Sequence, residues 1–208
     1  MKLYVASGTC SLFPHILAHE AGIPLALERV DLASSPRRTE TGADYLAISP
    51  NGYVPALEMD GGEVLTEGVA IAQYLLDQRP DSGLLPPTGT FARYKALSWL
   101  TFVSSELHKA YSPWLFHAEV GDVAQDTARR RIAQRLAFVE RHLQESGPYL
   151  MGDHFTAPDA YLFTIVGWSS YAKVDLSPFA ALRRFMAQVG SRPSVRNALK
   201  AERGELAA

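Results

Sequence analysis

Apolar and polar positions follow two different rhythms along the chain, and the change between them divides it. Residues 1–80 alternate strand-like and helix-like segments. "KLYVA" (2–6) predicts a strand rich in β-favouring side chains, and residues 11–21 predict a helix, with Leu12, His15 or Ile16, and His19 at helical spacing and Gly22 at the stop. "LALERVDL" (25–32) predicts a second strand. "VPALEM" and "EVL" predict a hairpin around Asp60-Gly61-Gly62, and residues 67–78 predict a helix closed by Pro80. A β-α-β unit followed by β-β-α implies a small mixed sheet flanked by helices. The Pro- and Gly-rich stretch that follows, centred on residues 81–90, reads as a linker. From 91 to 208 the period is helical. Tyr94, Leu97, Leu100, Leu107, Tyr111 and Trp114 fall three or four apart with one gap, and Ile132, Leu136, Val139 and Leu143 repeat the pattern. Residues 157–172 are apolar nearly all round, which predicts a central buried helix. "FTAPD" before it carries a start signal: Thr156 to cap, Pro158 in the first turn and Asp159 to close a capping box. The expected architecture is therefore an α/β domain over 1–80, a linker over 81–90 and an all-α domain over 91–208.

Composition narrows the partners. With 47% hydrophobic and 20% charged residues the 208-residue chain reads as an ordinary globular protein. A net charge of −2 gives no bulk attraction to nucleic acid or anionic lipid, and the scattered Lys and Arg form no aromatic-basic platform. A single cysteine rules out an internal disulfide framework and points to a reducing, cytoplasmic setting. The opening "MKLYVASG" is apolar for too short a distance to read as a signal peptide, and no apolar run approaches a membrane span. His15 and His19 stand four apart on a helix without a third ligand, so no metal site is expected.

Four places carry candidate chemistry. Cys10 sits where a loop turns into a helix, where backbone N–H groups and the helix dipole stabilise a thiolate; the plainer reading is a small buried hydrophobe. With no second cysteine three residues away, redox chemistry at Cys10 needs an external thiol. In "NGYVPAL" (51–57), Pro55 belongs at a strand start. A cis Val54–Pro55 bond would turn the backbone N–H and C=O of Val54 outward to pair with a peptide-like ligand, whereas a trans bond makes it an ordinary strand-entry proline. "LTEGVAIAQYL" (65–75) opens a helix whose free N–H groups favour a carboxylate, with Glu67 placed to hold an ammonium or to serve as a plain first-turn acid. Thr101, Ser104, Ser105, His108 and Ser112 form a polar stripe beside an apolar face, with Lys109 adjoining; the alternative is a solvated helix face.

Taken together in their order and spacing, "GTCS" (8–11), "NGYVPAL" (51–57), "LTEGVAIAQYL" (65–75), "SSELHKAYSP" (104–113) and "FTAPDAYLFT" (155–164) resemble the bacterial glutathione transferases over essentially the whole chain, and the cysteine-containing beta class most nearly. The resemblance implies a thioredoxin-like N-terminal domain, an all-helical C-terminal domain, a cis bond before Pro55 and a homodimer, with glutathione as co-substrate and no tightly bound cofactor. It implies that Tyr53, Val54 and Pro55 lie along the glutathione backbone, that Glu67 and Gly68 hold its γ-glutamyl end, and that Arg37 (or Arg38 in the other register of that loop) holds its glycine carboxylate. Gly68 stands where the wider family often has Ser, so one hydroxyl contact gives way to a backbone N–H. Cys10 would lie beside the glutathione sulfur, Cys10 and Ser11 would be the donors available to it, and His108 and Lys109 would reach the same site. Tyr4 reads as embedded in its strand and not as an activating tyrosine. Tyr111, Trp114, Phe116 and Trp168 would line an apolar pocket for a hydrophobic electrophile, or be core. The implied activity is conjugation of the glutathione thiolate in detoxification, with thiol–disulfide or peroxide chemistry open to Cys10. The alternatives are a glutathione-dependent isomerase, dehalogenase or ether-cleaving enzyme on the same scaffold, or a non-catalytic glutathione- or hydrophobe-binding protein.

Overall fold

A computed structural model describes residues 1–204 of the chain. Strand β1 (Lys2–Val5) alternates by side: Leu3 and Val5 enter one buried cluster, Tyr4 and Ala6 another. It is followed by α1 (Leu12–Glu20), β2 (Ala26–Asp31), a short β3 (Arg38–Thr39), a single-turn α2 (Tyr45–Ile48), β4 (Ala56–Glu58), β5 (Val64–Thr66) and α3 (Gly68–Asp77). The five strands form one sheet in the order β3-β2-β1-β4-β5. Only β1 and β2 pair in parallel, as the intervening helix requires, and Leu3 stands opposite Leu27 and Leu57. One face of the sheet is sealed by Ala18 of α1 and Ile71 and Leu75 of α3 packing on Leu3, Val5 and Leu57. The other is sealed by Tyr45 of α2 with Val30, Val54 and Ala56. This is the thioredoxin-like arrangement with a β4–β5 hairpin, whose turn is closed by Met59 and Glu63. The patterning missed β3 and α2, because two- and four-residue elements are too short to show a period.

The helical unit begins with α4 (Phe91–Phe102), capped by the Thr90 hydroxyl on the Arg93 N–H at 3.2 Å. The rod runs on without a break through a π-helical stretch, Val103–His108, into a last turn, α5 (Lys109–Tyr111). Wide turns of this kind cluster at functional positions. Helix α6 (Asp122–Ser146) buries Ile132, Leu136, Val139 and Leu143, as their spacing predicts. Helix α7 (Ala157–Val166) starts at the capping box: the Asp159 carboxylate accepts from the Thr156 N–H at 2.8 Å and its hydroxyl at 2.7 Å. The helix ends at Val166 and not at 172, tightening at Gly167 into a 3₁₀ turn (Gly167–Ser169). Helix α8 (Ala180–Gly190) receives a second kind of cap: the buried Glu140 carboxylate of α6 accepts from the N–H groups of Ala181 and Leu182 at 2.9 and 2.8 Å.

The division of the chain differs from the boundaries at 80 and 91. One compact unit is Met1–Leu84 together with the chain from Arg192 onward, and the other is Leu85–Ser191. Helix α9 (Pro193–Glu202) packs on α1 of the first unit. Glu20 of α1 binds Arg192 and Ser194, the Arg29 guanidinium donates to the Ala201 carbonyl at 2.7 Å, and Glu202 lies 3.5 Å from His15. An amphipathic period announces a buried stripe but not the element that buries it, so α9 looked like one more member of the helical domain.

Candidate functional site

The first set of groups gathers where β1 gives way to α1. The chain leaves the sheet at Ala6, turns with Gly8 at φ 76°, and places Cys10 two residues before the first residue of α1. The turn is tied by the Thr9 N–H and hydroxyl, both donating to the Ala6 carbonyl, at 3.3 and 2.8 Å. Cys10 is half-buried, and its thiol donates to the Val54 carbonyl at 3.3 Å. The Val54–Pro55 bond is cis. Pro55 in turn lies against Gly68 at the start of α3: a Cβ added to Gly68 would stand 3.7 Å from the proline ring and 3.4 Å from Phe13. Cys10, Val54, Pro55 and Gly68 thus make one contiguous strip.

Glu67, just before α3, is exposed and has φ 67° and ψ 112°, a conformation that side chains with a Cβ rarely adopt. Its carbonyl begins the helix by accepting from the Ile71 N–H at 2.9 Å. Backbone strain at an exposed, charged helix start is a mark of function. No feature of the sequence announces it, since Glu is not a residue that left-handed turns select.

Arg37 and Arg38 diverge. The Arg37 guanidinium donates to the Gly52 carbonyl at 2.5 Å and lies 6.0 Å over the Tyr53 ring, whereas Arg38 donates to Gly42. Arg37 is therefore the one directed toward the Tyr53–Val54 segment. Gly52 suits the turn because its φ is 69°, and a Cβ there would displace the Arg37 guanidinium, whose Nη1 it would meet at 2.6 Å. Tyr53 is 70% exposed, while its carbonyl is held by the Tyr45 hydroxyl at 2.8 Å. Tyr45 was not singled out by sequence. It buttresses the segment from within, and burial pushes its phenol up to about 12.

One sequence-based expectation, for Ser11, changes here, and another, for Tyr4, holds. Ser11 is fully buried; its hydroxyl donates to the Ala6 carbonyl, accepts from the Ala6 N–H, both at 3.2 Å, and stands 2.9 Å from the Thr9 hydroxyl. These bonds brace the Cys10 loop and engage the hydroxyl expected to donate to a sulfur beside Cys10. Tyr4 is buried and donates to Glu58 at 2.5 Å, and burial with that carboxylate pushes it up to about 12, so it keeps its proton.

The helical unit holds a second set. His108 closes the π-helical stretch, and its Nδ1 lies 2.8 Å from the Tyr161 hydroxyl. Trp168 meets the imidazole edge-on, with centroids 5.1 Å apart, and Phe116 packs on the other part of the same indole at 5.2 Å. Burial, and secondarily the Lys109 charge, bring His108 down to about 4, so it is neutral at physiological pH. Lys109 is exposed and lines a cavity of about 300 Å³ with Ser105, Trp114, Thr127 and Arg131. The four aromatics expected in one pocket separate. Trp114 lines this cavity, Trp168 packs on His108 with Phe116 behind it on the indole, and Tyr111 is core. Tyr111 is wholly buried with its hydroxyl 2.6 Å from that of Ser169, because its place on the helical period puts it on the inner face. Among the described residues no group of three His, Cys, Asp or Glu side chains is disposed to hold a metal ion, and no helix is long and apolar enough to cross a membrane.

A thioredoxin-like sheet with a thiol beside a cis-proline edge, followed by a helical unit, is the plan of a glutathione-handling enzyme, and comparison with known proteins agrees. Residues 9–78 match the glutathione S-transferase N-terminal domain and residues 105–202 the C-terminal domain. The chain is 41% identical to glutathione S-transferase GstA of Escherichia coli O157:H7, over 97% of this chain and 98% of that one. Among solved structures, a ternary complex of BphK, a bacterial glutathione transferase, is 48% identical with a TM-score of 0.93, over 97% of this chain and 99% of that one. The beta-class enzyme of Sphingomonas chungbukensis is 40% identical with a TM-score of 0.92, over 99% and 100% of the two chains. The chain belongs to the glutathione S-transferase family, in its bacterial beta class.

Proposed function

We propose that the protein joins the glutathione thiolate to small hydrophobic electrophiles, with the tripeptide lying along Tyr53–Val54 and its sulfur beside Cys10. The observation that carries this reading is the Cys10 thiol resting 3.3 Å from the Val54 carbonyl. A cysteine held at that backbone edge is placed to meet the sulfur of an extended thiol peptide paired with it. Arg37 faces the glycine carboxylate, while Glu67 and the N–H of Gly68 take the γ-glutamyl end. In the conjugation the glutathione sulfur forms a bond to the electrophilic carbon and the leaving group departs with the electron pair, as a chloride from a chloronitrobenzene. His108 enters as a neutral imidazole and Lys109 as the cation, and Trp114, Phe116 and Trp168 offer apolar surface to the electrophile. Ser11 acts by holding the Cys10 loop. The enzyme works as a homodimer in the cytoplasm, in detoxification.

A second reading, thiol–disulfide chemistry, is favoured by the partial exposure of Cys10. Its thiolate attacks oxidised glutathione, forms a mixed disulfide and releases one glutathione thiolate. Intact mass after incubation with oxidised glutathione separates the two roles. The wild-type protein gains one glutathionyl group and Cys10→Ala gains none, while Cys10→Ala retains part of the conjugation rate. Absence of the adduct in the wild type removes the redox role. Calorimetry without heat of association for either form of glutathione removes the whole reading.

A further inference from the structure

The imidazole of His108 is gripped by its own unit. Tyr161, 4% exposed on α7, presents its hydroxyl at 2.8 Å from Nδ1, and its ring stands perpendicular to the imidazole with centroids 6.0 Å apart. Trp168 covers another side at 5.1 Å. Helix α7 is itself fixed at its start by the Asp159–Thr156 cap, within two turns of Tyr161. Lys109 is the charged neighbour, and a cation there disfavours a second proton on the ring. A neutral imidazole carries one proton on two nitrogens, so the partner of Nδ1 decides what the other nitrogen does. A phenol O–H is a stronger donor than an imidazole N–H, and an sp² ring nitrogen is a better acceptor than a phenol oxygen whose lone pair is shared with its ring. Across this contact the hydroxyl of Tyr161 donates and Nδ1 accepts.

We propose that Tyr161 is a positioning residue that fixes His108 as its Nε2–H tautomer, so that the imidazole enters the reaction as a hydrogen-bond donor and not as a base. The proposal rests on the reading above in which His108 takes part in conjugation. The donor then favours negative charge on the sulfur or on the group receiving it, with no proton taken up or released by the ring. Partners that set a histidine's tautomer from behind the reacting group commonly control its chemistry to this degree.

Nitrogen-15 NMR of the full chain labelled at histidine tests it, with the His108 signals identified by their loss in His108→Gln. The wild type is expected to show a bare, pyridine-type Nδ1 and a protonated Nε2. Tyr161→Phe, which keeps the packing, is expected to show a mixture of tautomers. Its turnover with a chloronitrobenzene should fall about tenfold, the worth of one well-placed hydrogen bond. Its KM for glutathione should stay within about twofold. A protonated Nδ1 in the wild type, or wild-type tautomer and turnover in Tyr161→Phe, overturns the proposal. Unchanged turnover in His108→Gln overturns the part of the ring in the reaction, while the tautomer spectrum of the wild type decides separately what Tyr161 does to it.

Discussion

The strip around Cys10 and the pocket around His108 use opposite means. Near Cys10 the groups brought together belong largely to the main chain: the Val54 carbonyl beside the thiol, the carbonyls of Gly52 and Tyr53 held by Arg37 and Tyr45, and the strained backbone of Glu67. Near His108 they are side chains in an aromatic enclosure, and burial sets their charge. The path of the chain fixes the arrangement of the first region. In the second, desolvation fixes the protonation state in which it acts.

The largest separation between the two should come from Glu67→Gly. Glycine accepts the positive φ, so stability should hold or rise by about 1 kcal/mol. Loss of a charge-assisted contact should weaken glutathione binding roughly tenfold to hundredfold. Calorimetry and thermal unfolding on the same preparation read both; lost stability with intact affinity would show that the strain is structural.

The next effect lies in pH. His108 is held at about 4 from an ordinary 6.5, so the unfolded chain binds its proton more readily than the folded one. That contribution to stability is present above about pH 6.5 and is lost as the pH falls toward 4. Asp159 runs the other way. Burial raises it from 3.8 to about 6, so its contribution is present below 3.8 and is lost as the pH rises through 6. Denaturant titrations between pH 4 and 7 should therefore show the wild type gaining on His108→Gln as pH increases; a constant difference would mean that the ring is solvated. The smallest effect separates the two arginines. Arg37→Ala should weaken glutathione binding a few-fold, and Arg38→Ala should leave it unchanged, as exposed charges commonly do. Equal losses in calorimetry would place both on the ligand.

Much of this was legible in the residues because it is local. The Thr156–Asp159 cap, the Asp60–Gly62 turn and the Cys10 loop each lie within a few positions of sequence, and each forms where its residue types predict. What was hidden is either long-range or conformational. A helical period places Tyr111 and α9 on buried faces but cannot say against what, so pocket and core both stayed open for the first and the second fell to the wrong unit. Ser11 looked like a donor to sulfur because chain proximity to Cys10 does not reveal which way a hydroxyl turns. The positive φ of Glu67 and the π-helical turn at Val103–His108 leave no trace in residue type. Tyr161 sits inside a conspicuous motif, yet among apolar neighbours it reads as packing until its hydroxyl is seen on His108.

Helix α9 lends the chain an order of assembly. Arg192, Ser194 and Glu202 complete contacts that α1 offers from the other end of the sequence. During synthesis the ribosome must deliver the entire inserted helical unit before those partners emerge. The α/β unit is thus completed only after the helical unit inserted within it has been made, and a nascent protein waiting at that stage exposes the flank of α1 to chaperones.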